Sequence, residues 1–328
     1  MQYHNGSSLY RACAGKQRGL ALVSVLLVVA ILVIIAADML ARQRVDMRGT
    51  QNTVLARQGW HYALGGERWA IQLLRRDLLT EASSRDHLGE PWAQSLHRFP
   101  FDEGELFVRI EDANARFNLN NLVAPNGQVS EIALRQWQGL LQDFDAQPAL
   151  ASELLAMLIG KAVNKEIGTG DPSSDSANSI PLALVDSTEL LTLPSMNKAA
   201  LQRLQPLLAT VPGRIKLNVN TAKLPVLQHI SPILGSEKLA MIKARQQQGG
   251  FATVDEFVLA AGGDGVFGDV ISEFAVSSDF FIVMVRAEYA ERTTYLQSLV
   301  YRDRKQNTVQ IIQRQRLTEL DDDILTDD

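Results

Sequence analysis

The chain is almost without cysteine: Cys13 is the single one, so no internal disulfide can form and a multi-cysteine zinc site is excluded. Histidine is scarce as well. His4, His61, His87, His97 and His229 make no His-x-x-x-His pair and no His-Glu-x-x-His run, which removes the usual helical zinc-enzyme signature. There is no Gly-x-Ser-x-Gly elbow and no phosphate loop. Nor is there an excess of positive charge. The formal net charge of −5 argues against broad non-specific attraction to nucleic acid, which needs a basic face. The loop holding Glu166, Asp171 and Asp175 offers too few carboxylates for an oxygen cage of the calcium type. Catalytic residues, metal and cofactor are accordingly set at none, and the chain is expected to assemble with partners rather than to act as an enzyme.

What is present, and strongly, is one apolar run. After Lys16-Gln17-Arg18-Gly19 the chain stays apolar from Leu20 to Ala37, with Ser24 the one weakly polar member. At about 18 residues, the run lies at the short end of the roughly 17–25 that cross a bilayer. Three readings fit. A secretory signal should carry a small-residue cleavage site after the run, and Ala36-Ala37-Asp38 is a poor one. A plain uncleaved anchor is the second. The third puts cleavage before the run, after Gly19, where the missing Cβ leaves the peptide open to a membrane protease. A short basic leader ending in Gly, directly against a retained helix, resembles the class III leader of type IV pilins. That resemblance implies cleavage by a prepilin peptidase between Gly19 and Leu20 and methylation of the Leu20 amine. Pilins carry Glu at the fifth mature position, which here is Ser24. Either Ser24 is a tolerated residue in an anchor, or the subunit has nothing above it in a filament. Charge does not decide orientation, because Arg11, Lys16 and Arg18 before the run balance Arg42, Arg44 and Arg48 after it.

Beyond Asp38 apolar residues recur at threes and fours through Leu78, which predicts one helix over about 20–79, roughly 90 Å long at about 1.5 Å per residue. Gly49, Gly59, Gly65 and Gly66 should weaken it locally. Residues 104–112 alternate as a half-buried strand, and 280–287, 294–301 and 308–313 read as three antiparallel strands. Residues 130–160 and 186–263 are helical, with a Gly/Ser/Asp-rich loop at 165–179. The fold class is therefore α+β.

Leu217-Asn218-Val219-Asn220-Thr221-Ala222, followed by Arg245, Gly249-Gly250-Phe251 and Asp255, resembles the helix-hairpin-helix units of nucleic-acid-binding proteins. Those units offer hairpin N–H groups to a phosphate at a helix start. Here Pro232 in the hairpin lacks an N–H and the double-Gly spacing is gone, so a packing module is the better reading and no nucleic-acid partner is expected. A membrane-anchored periplasmic nucleic-acid-binding protein of DNA uptake stands as the alternative.

Several strings together carry a wider resemblance: Arg18-Gly19-Leu20-Ala21-Leu22, Arg57 to Arg68, Arg116-Phe117-Asn118-Leu119-Asn120-Asn121-Leu122, Glu189-Leu190, residues 217–222 and Ser277-Ser278-Asp279-Phe280-Phe281. Over nearly its whole length the chain resembles the K-type minor pseudopilins of type II secretion systems. The resemblance implies a type IV pilin-like fold, with a long N-terminal helix and an antiparallel sheet, interrupted by a large inserted helical domain. The divisions expected are a leader (1–19), a transmembrane part (20–37), a periplasmic stalk (38–80), a head (81–129 and 264–315), the insertion (130–263) and an acidic disordered tail (316–328). It implies a single pass through the bacterial inner membrane with the head in the periplasm. The partners it implies are the I-, J- and H-type minor pseudopilins at a filament tip, the inner-membrane assembly platform, the outer-membrane secretin and the prepilin peptidase. Members of that family carry acidic loops that hold calcium; here Gly160 to Glu166 and Ser174 to Asn178 have mostly lost them, so no metal is carried over.

Overall fold

The computed structural model describes residues 18–79, 84–94, 96–124, 126–167, 183–230 and 234–318. Helix α1 (Arg18–Leu78) comes first, and the chain divides into two units between Gln58 and Gly59.

In the first unit α1 is exposed on every side from Leu22 to Val54, with side chains such as Leu26, Val33 and Ile35 standing open. A helix apolar all round and packed on nothing satisfies every backbone group internally, which is what a bilayer requires. It is the one helix among the described residues long and apolar enough to cross a membrane. Past the apolar run Asp38 and Arg42 pair at 2.9 Å, one turn apart.

The second unit begins at Gly59. Here Ala63, Glu67, Ala70 and Leu74, spaced by fours and threes, form the buried stripe of α1. They pack on a five-stranded antiparallel sheet, order β1-β2-β7-β8-β9. Its strands are β1 (His97–Phe101), β2 (Gly104–Asp112), β7 (Phe280–Tyr289), β8 (Arg292–Asp303) and β9 (Thr308–Leu317). The core between helix and sheet holds Trp92, Val108, Val283, Val285, Leu296 and Val300. Of the glycines expected to weaken the helix, Gly66 has another role. A Cβ on Gly66 would meet Val108 Cγ2 and Val285 Cγ1 at 2.9 Å, so this glycine sets how closely helix and sheet approach.

Between β2 and β7 lies the insertion. It contains the short strands β3 (Phe117–Asn118), β4 (Leu208–Ala209), β5 (Leu217–Asn218) and β6 (Phe274–Ala275), with β3 parallel to β4 and β5 parallel to β6. Its helices are α2 (Glu131–Asp143), α3 (Ala149–Ile167), α4 (Lys198–Leu204), α5 (Leu224–Gln228), α6 (Ser236–Gln247) and α7 (Val254–Ala261). Trp137, Leu140, Leu154, Leu204, Leu227, Ile242 and Phe257 share one core there.

Four expectations change. The insertion is wider than 130–263, because β2 ends at Asp112 and its ladder partner Phe281 belongs to β7; the residues between them fold around the helical core. Strand β1 was missed because Pro100 interrupts its pattern, and an edge strand tolerates proline. Helix α3 continues to Ile167, so residues 165–167 are helical and the rest of the expected 165–179 loop lies outside the described residues. Arg316 and Leu317 belong to β9, pairing with Leu296 and Tyr295, rather than to the tail. Residues 319–328 and 1–17 lie outside the described residues.

Candidate functional site

Three of the residues singled out on the sequence fall in the first unit. Gly19 and Leu20 lie in the first turn of α1, and Ser24 follows on its exposed surface. No charged residue stands between Gly19 and Asp38.

The remaining motifs converge on a polar junction in the second unit, where sheet, helix and insertion meet. Asp112 ends β2, fully enclosed. Its Oδ1 accepts from the Asn114 amide at 2.7 Å, capping the turn that opens the insertion. Its Oδ2 accepts from Ser278 Oγ at 2.5 Å, from Asn218 Nδ2 at 3.1 Å and from Thr221 Oγ1. Asp112 thus ties the strand on which the insertion leaves to the loop on which it returns. Burial pushes its carboxyl up to about 6, against the pull of the Ser278 and Thr221 hydrogen bonds.

Beside it sits an ionic core. Arg302 of β8 and Asp86 are both wholly buried and paired. Arg302 Nη1 also meets Asp77 Oδ2, in the last turn of α1, at 2.6 Å, and its guanidinium lies 4.5 Å from the Phe281 ring centroid. Arg304 reaches the other Asp86 oxygen, and the Ser278 amide donates to that same oxygen at 2.6 Å. Carboxylate oxygens of Asp77, Asp86 and Glu90 come within 4.8 Å of one another. Guanidinium groups answer two of the three, whereas Glu90 Oε1 is buried with no hydrogen-bond partner. Burial, then the charges of Asp77 and Asp86, push Glu90 up to about 7.

Asparagines bind the rest of the insertion by imitating backbone. Asn120 accepts from the Leu184 amide at 2.8 Å and donates to the carbonyls of Leu184 and Val211 at 3.0 and 2.9 Å. Asn118 accepts from the Val211 amide at 3.0 Å and donates to Gly213 O at 2.9 Å; Asn121 brackets Ile215 in the same way. Asn220 accepts from the Phe251 amide at 2.6 Å. A Cβ on Gly250 would stand 2.5 Å from the Asn220 side chain, so Gly250 makes room for this contact. In the helix-hairpin-helix-like block, Asn218, Asn220 and Gln246 point their amides inward, Gln246 donating to the Val219 and Ala222 carbonyls. Residues 231–233, the hairpin tip, lie outside the described residues, as do Asp171 and Asp175.

The asparagine strings were legible in the sequence; Asp86, Arg302 and Arg304 were missed. A signal did exist for Arg302. Leu296, Ser298 and Val300 set the buried parity of β8, and the next residue on that parity is an arginine.

One apolar helix that continues into the core of an antiparallel sheet defines a pilin-like subunit, here with a helical domain set between two adjacent strands. Two matched family models, both described as type II secretion system protein K, cover residues 115–213 and 217–277. Type II secretion system protein K of Pseudomonas aeruginosa is 35% identical over 303 residues, covering 87% of this chain and 89% of that protein. Its counterpart in Klebsiella pneumoniae is 31% identical over 247 residues, covering 70% and 74%. A solved chain from the GspK-GspI-GspJ complex of the enterotoxigenic Escherichia coli type 2 secretion system superposes with a TM-score of 0.65 at 23% identity, covering 82% of this chain and 99% of that one. The chain belongs to the type II secretion system protein K family. Its function is that of a minor pseudopilin in type II protein secretion.

Proposed function

We propose that this chain is a tip subunit of the pseudopilus, acting by assembly rather than catalysis, that helps start the filament and so promotes export of folded proteins across the outer membrane. The observation that carries this is the uncharged stretch between Gly19 and Asp38, with Ser24 where other pilins place a carboxylate. A carboxylate among lipid tails is costly unless paired, and in filaments the neighbouring amine is its partner. A subunit that lacks the carboxylate forgoes the pairing with a subunit above it and keeps its own amine for one below.

On this reading the prepilin peptidase cuts between Gly19 and Leu20 and methylates the Leu20 amine. The leader stays in the cytoplasm, α1 spans the inner membrane once and the second unit stands in the periplasm. Its partners are the I-, J- and H-type minor pseudopilins, the assembly platform and the secretin. The fold likeness to a chain crystallised with GspI and GspJ supports the first of these.

Intact-mass analysis of the chain made with and without a prepilin peptidase tests the proposal. The mature species should begin at methylated Leu20, and Gly19→Val should block its formation. A chain that keeps residues 1–19 in the presence of active peptidase sinks the processing reading. Failure of the full chain, in detergent, to co-purify with I- and J-type subunits sinks the tip reading.

A further inference from the structure

Opposite the face that α1 covers, the sheet and the insertion enclose a groove of about 370 Å³. Its floor is mixed: Ile282 and Met284 of β7, Leu299 of β8 and Leu317 of β9 give it an apolar patch, Gln297, Gln313 and Gln315 stand among them, and Asp186 and Lys198 line the insertion's wall. Its far end, at β2, is cationic. Arg116 and Lys223 gather there beside one carboxylate, Glu111, which pairs with Arg116. The charge is unbalanced. Among the described residues no carboxylate stands within ion-pair distance of Lys223, and Arg116 Nε is buried without a hydrogen-bond partner. Crowding by the other cations is felt at Lys223: burial, then Arg116, lower its amine to about 8. A floor with an apolar patch and amide side chains, ending beside the Lys223 amine that no described carboxylate pairs, fits an extended peptide that carries a hydrophobic side chain followed by carboxylates.

The chain itself supplies such a segment. Leu317, which closes β9, lines the groove, and the sequence continues Thr318-Glu319-Leu320-Asp321-Asp322-Asp323. From Leu317 to Glu111 the path crosses from β9 over β8 and β7 to β2, about 14 Å at about 4.8 Å per strand, and shifts about 13 Å along the strands. The diagonal is about 19 Å. Six extended residues reach about 20 Å, which brings the carboxylates of Asp322 and Asp323 to the cationic end. Leu320 falls midway, over Met284 and the neighbouring Gln297. Reach, charge and hydrophobic spacing agree.

We propose that this groove is a docking site for an extended acidic peptide, and that the chain's own segment from Glu319 to Asp323 is its occupant. Docking in cis has the advantage of a high local concentration, since the segment is tethered at the groove's edge.

Fluorescence anisotropy with a labelled synthetic peptide of residues 318–328 tests this on the full chain in detergent micelles and on a chain ended after Thr318. The shortened chain should bind the peptide, with affinity falling as salt rises. The full chain should bind it at least tenfold more weakly, its own segment being in place. Lys223→Gln in the shortened chain should weaken binding about tenfold, and a peptide with every Asp changed to Asn should not bind. Equal binding by the full and shortened chains overturns the assignment of the occupant and leaves the groove to an acidic segment of another subunit. Absence of binding by a shortened chain that melts like the full one overturns the site itself, as does binding indifferent to Lys223→Gln.

Discussion

Arg302 donates to Asp86 at a place where neither side chain retains any exposure to solvent. Arg302 also bonds Asp77 of α1 and the Ser278 carbonyl at 2.8 Å, so one guanidinium joins helix, sheet and the returning end of the insertion. Removing one partner of a buried pair strands the other charge, which typically costs about 3–5 kcal/mol. Arg302→Leu should therefore destabilise the second unit by about that amount, with Arg304 offsetting a part. Urea unfolding of the full chain in detergent, followed by tryptophan fluorescence, checks it. A loss below about 1 kcal/mol would mean that Arg304 alone suffices for Asp86.

Asn120 makes a closed exchange with Leu184 and adds a bond to Val211, all away from water. Truncation to alanine leaves the Leu184 amide and carbonyl without these bonds, each worth about 1–3 kcal/mol when buried, while the Val211 carbonyl keeps its bond from Asn118 Nδ2. Asn120→Ala should cost about 2–4 kcal/mol, and Asn120→Asp nearly as much, since a carboxylate would face the carbonyls of Leu184 and Val211. Hydrogen exchange at the Leu184 amide should quicken in both variants, an effect that a change in global stability alone would spread evenly.

Acidity should act in two directions. Glu90, pushed up to about 7, and Asp112, pushed up to about 6, both sit above their ordinary values, so the folded state binds their protons more tightly than the unfolded chain. Stability from these groups is present at low pH and lost as pH rises through about 6 to 7. Glu111 behaves oppositely. Burial would raise it, but Arg116, Lys223 and Arg109 prevail and hold it at about 2, so its contribution is lost as pH falls from about 4.5 toward 2. The melting temperature should rise from pH 8 to about 5 and fall below about 4. Glu90→Gln should flatten the upper limb and spare the lower one.

Much of this architecture was open to reading because its signals are local. The apolar run, the alternation in β2 and in β7 to β9, and the asparagine strings each state their own role. What stayed hidden depends on contacts distant in sequence. Gly66 looked like a weak point of the helix until Val108 and Val285 appeared against it. The β7–β8 hairpin turns through Ala290 and Glu291 at φ of 48° and 61°, residues with no preference for that region, so nothing announced the turn. Arg302 needed only its strand parity to be noticed, but its acidic partners lie more than 200 residues earlier in the chain. The groove was invisible for the same reason: Lys223 becomes a neighbour of Glu111 and Arg116 only after the insertion has folded back.

Asp112 and Phe281, facing each other across the β2–β7 ladder, are also the doorposts of the insertion. A domain whose two ends meet on one rung leaves the strand register untouched, and what further ties it to the sheet is side-chain contact, from Ala209, Val211 and Ile215 to Ile282 and Met284. It can therefore be exchanged, enlarged or trimmed as a cassette while the pilin-like frame keeps its register.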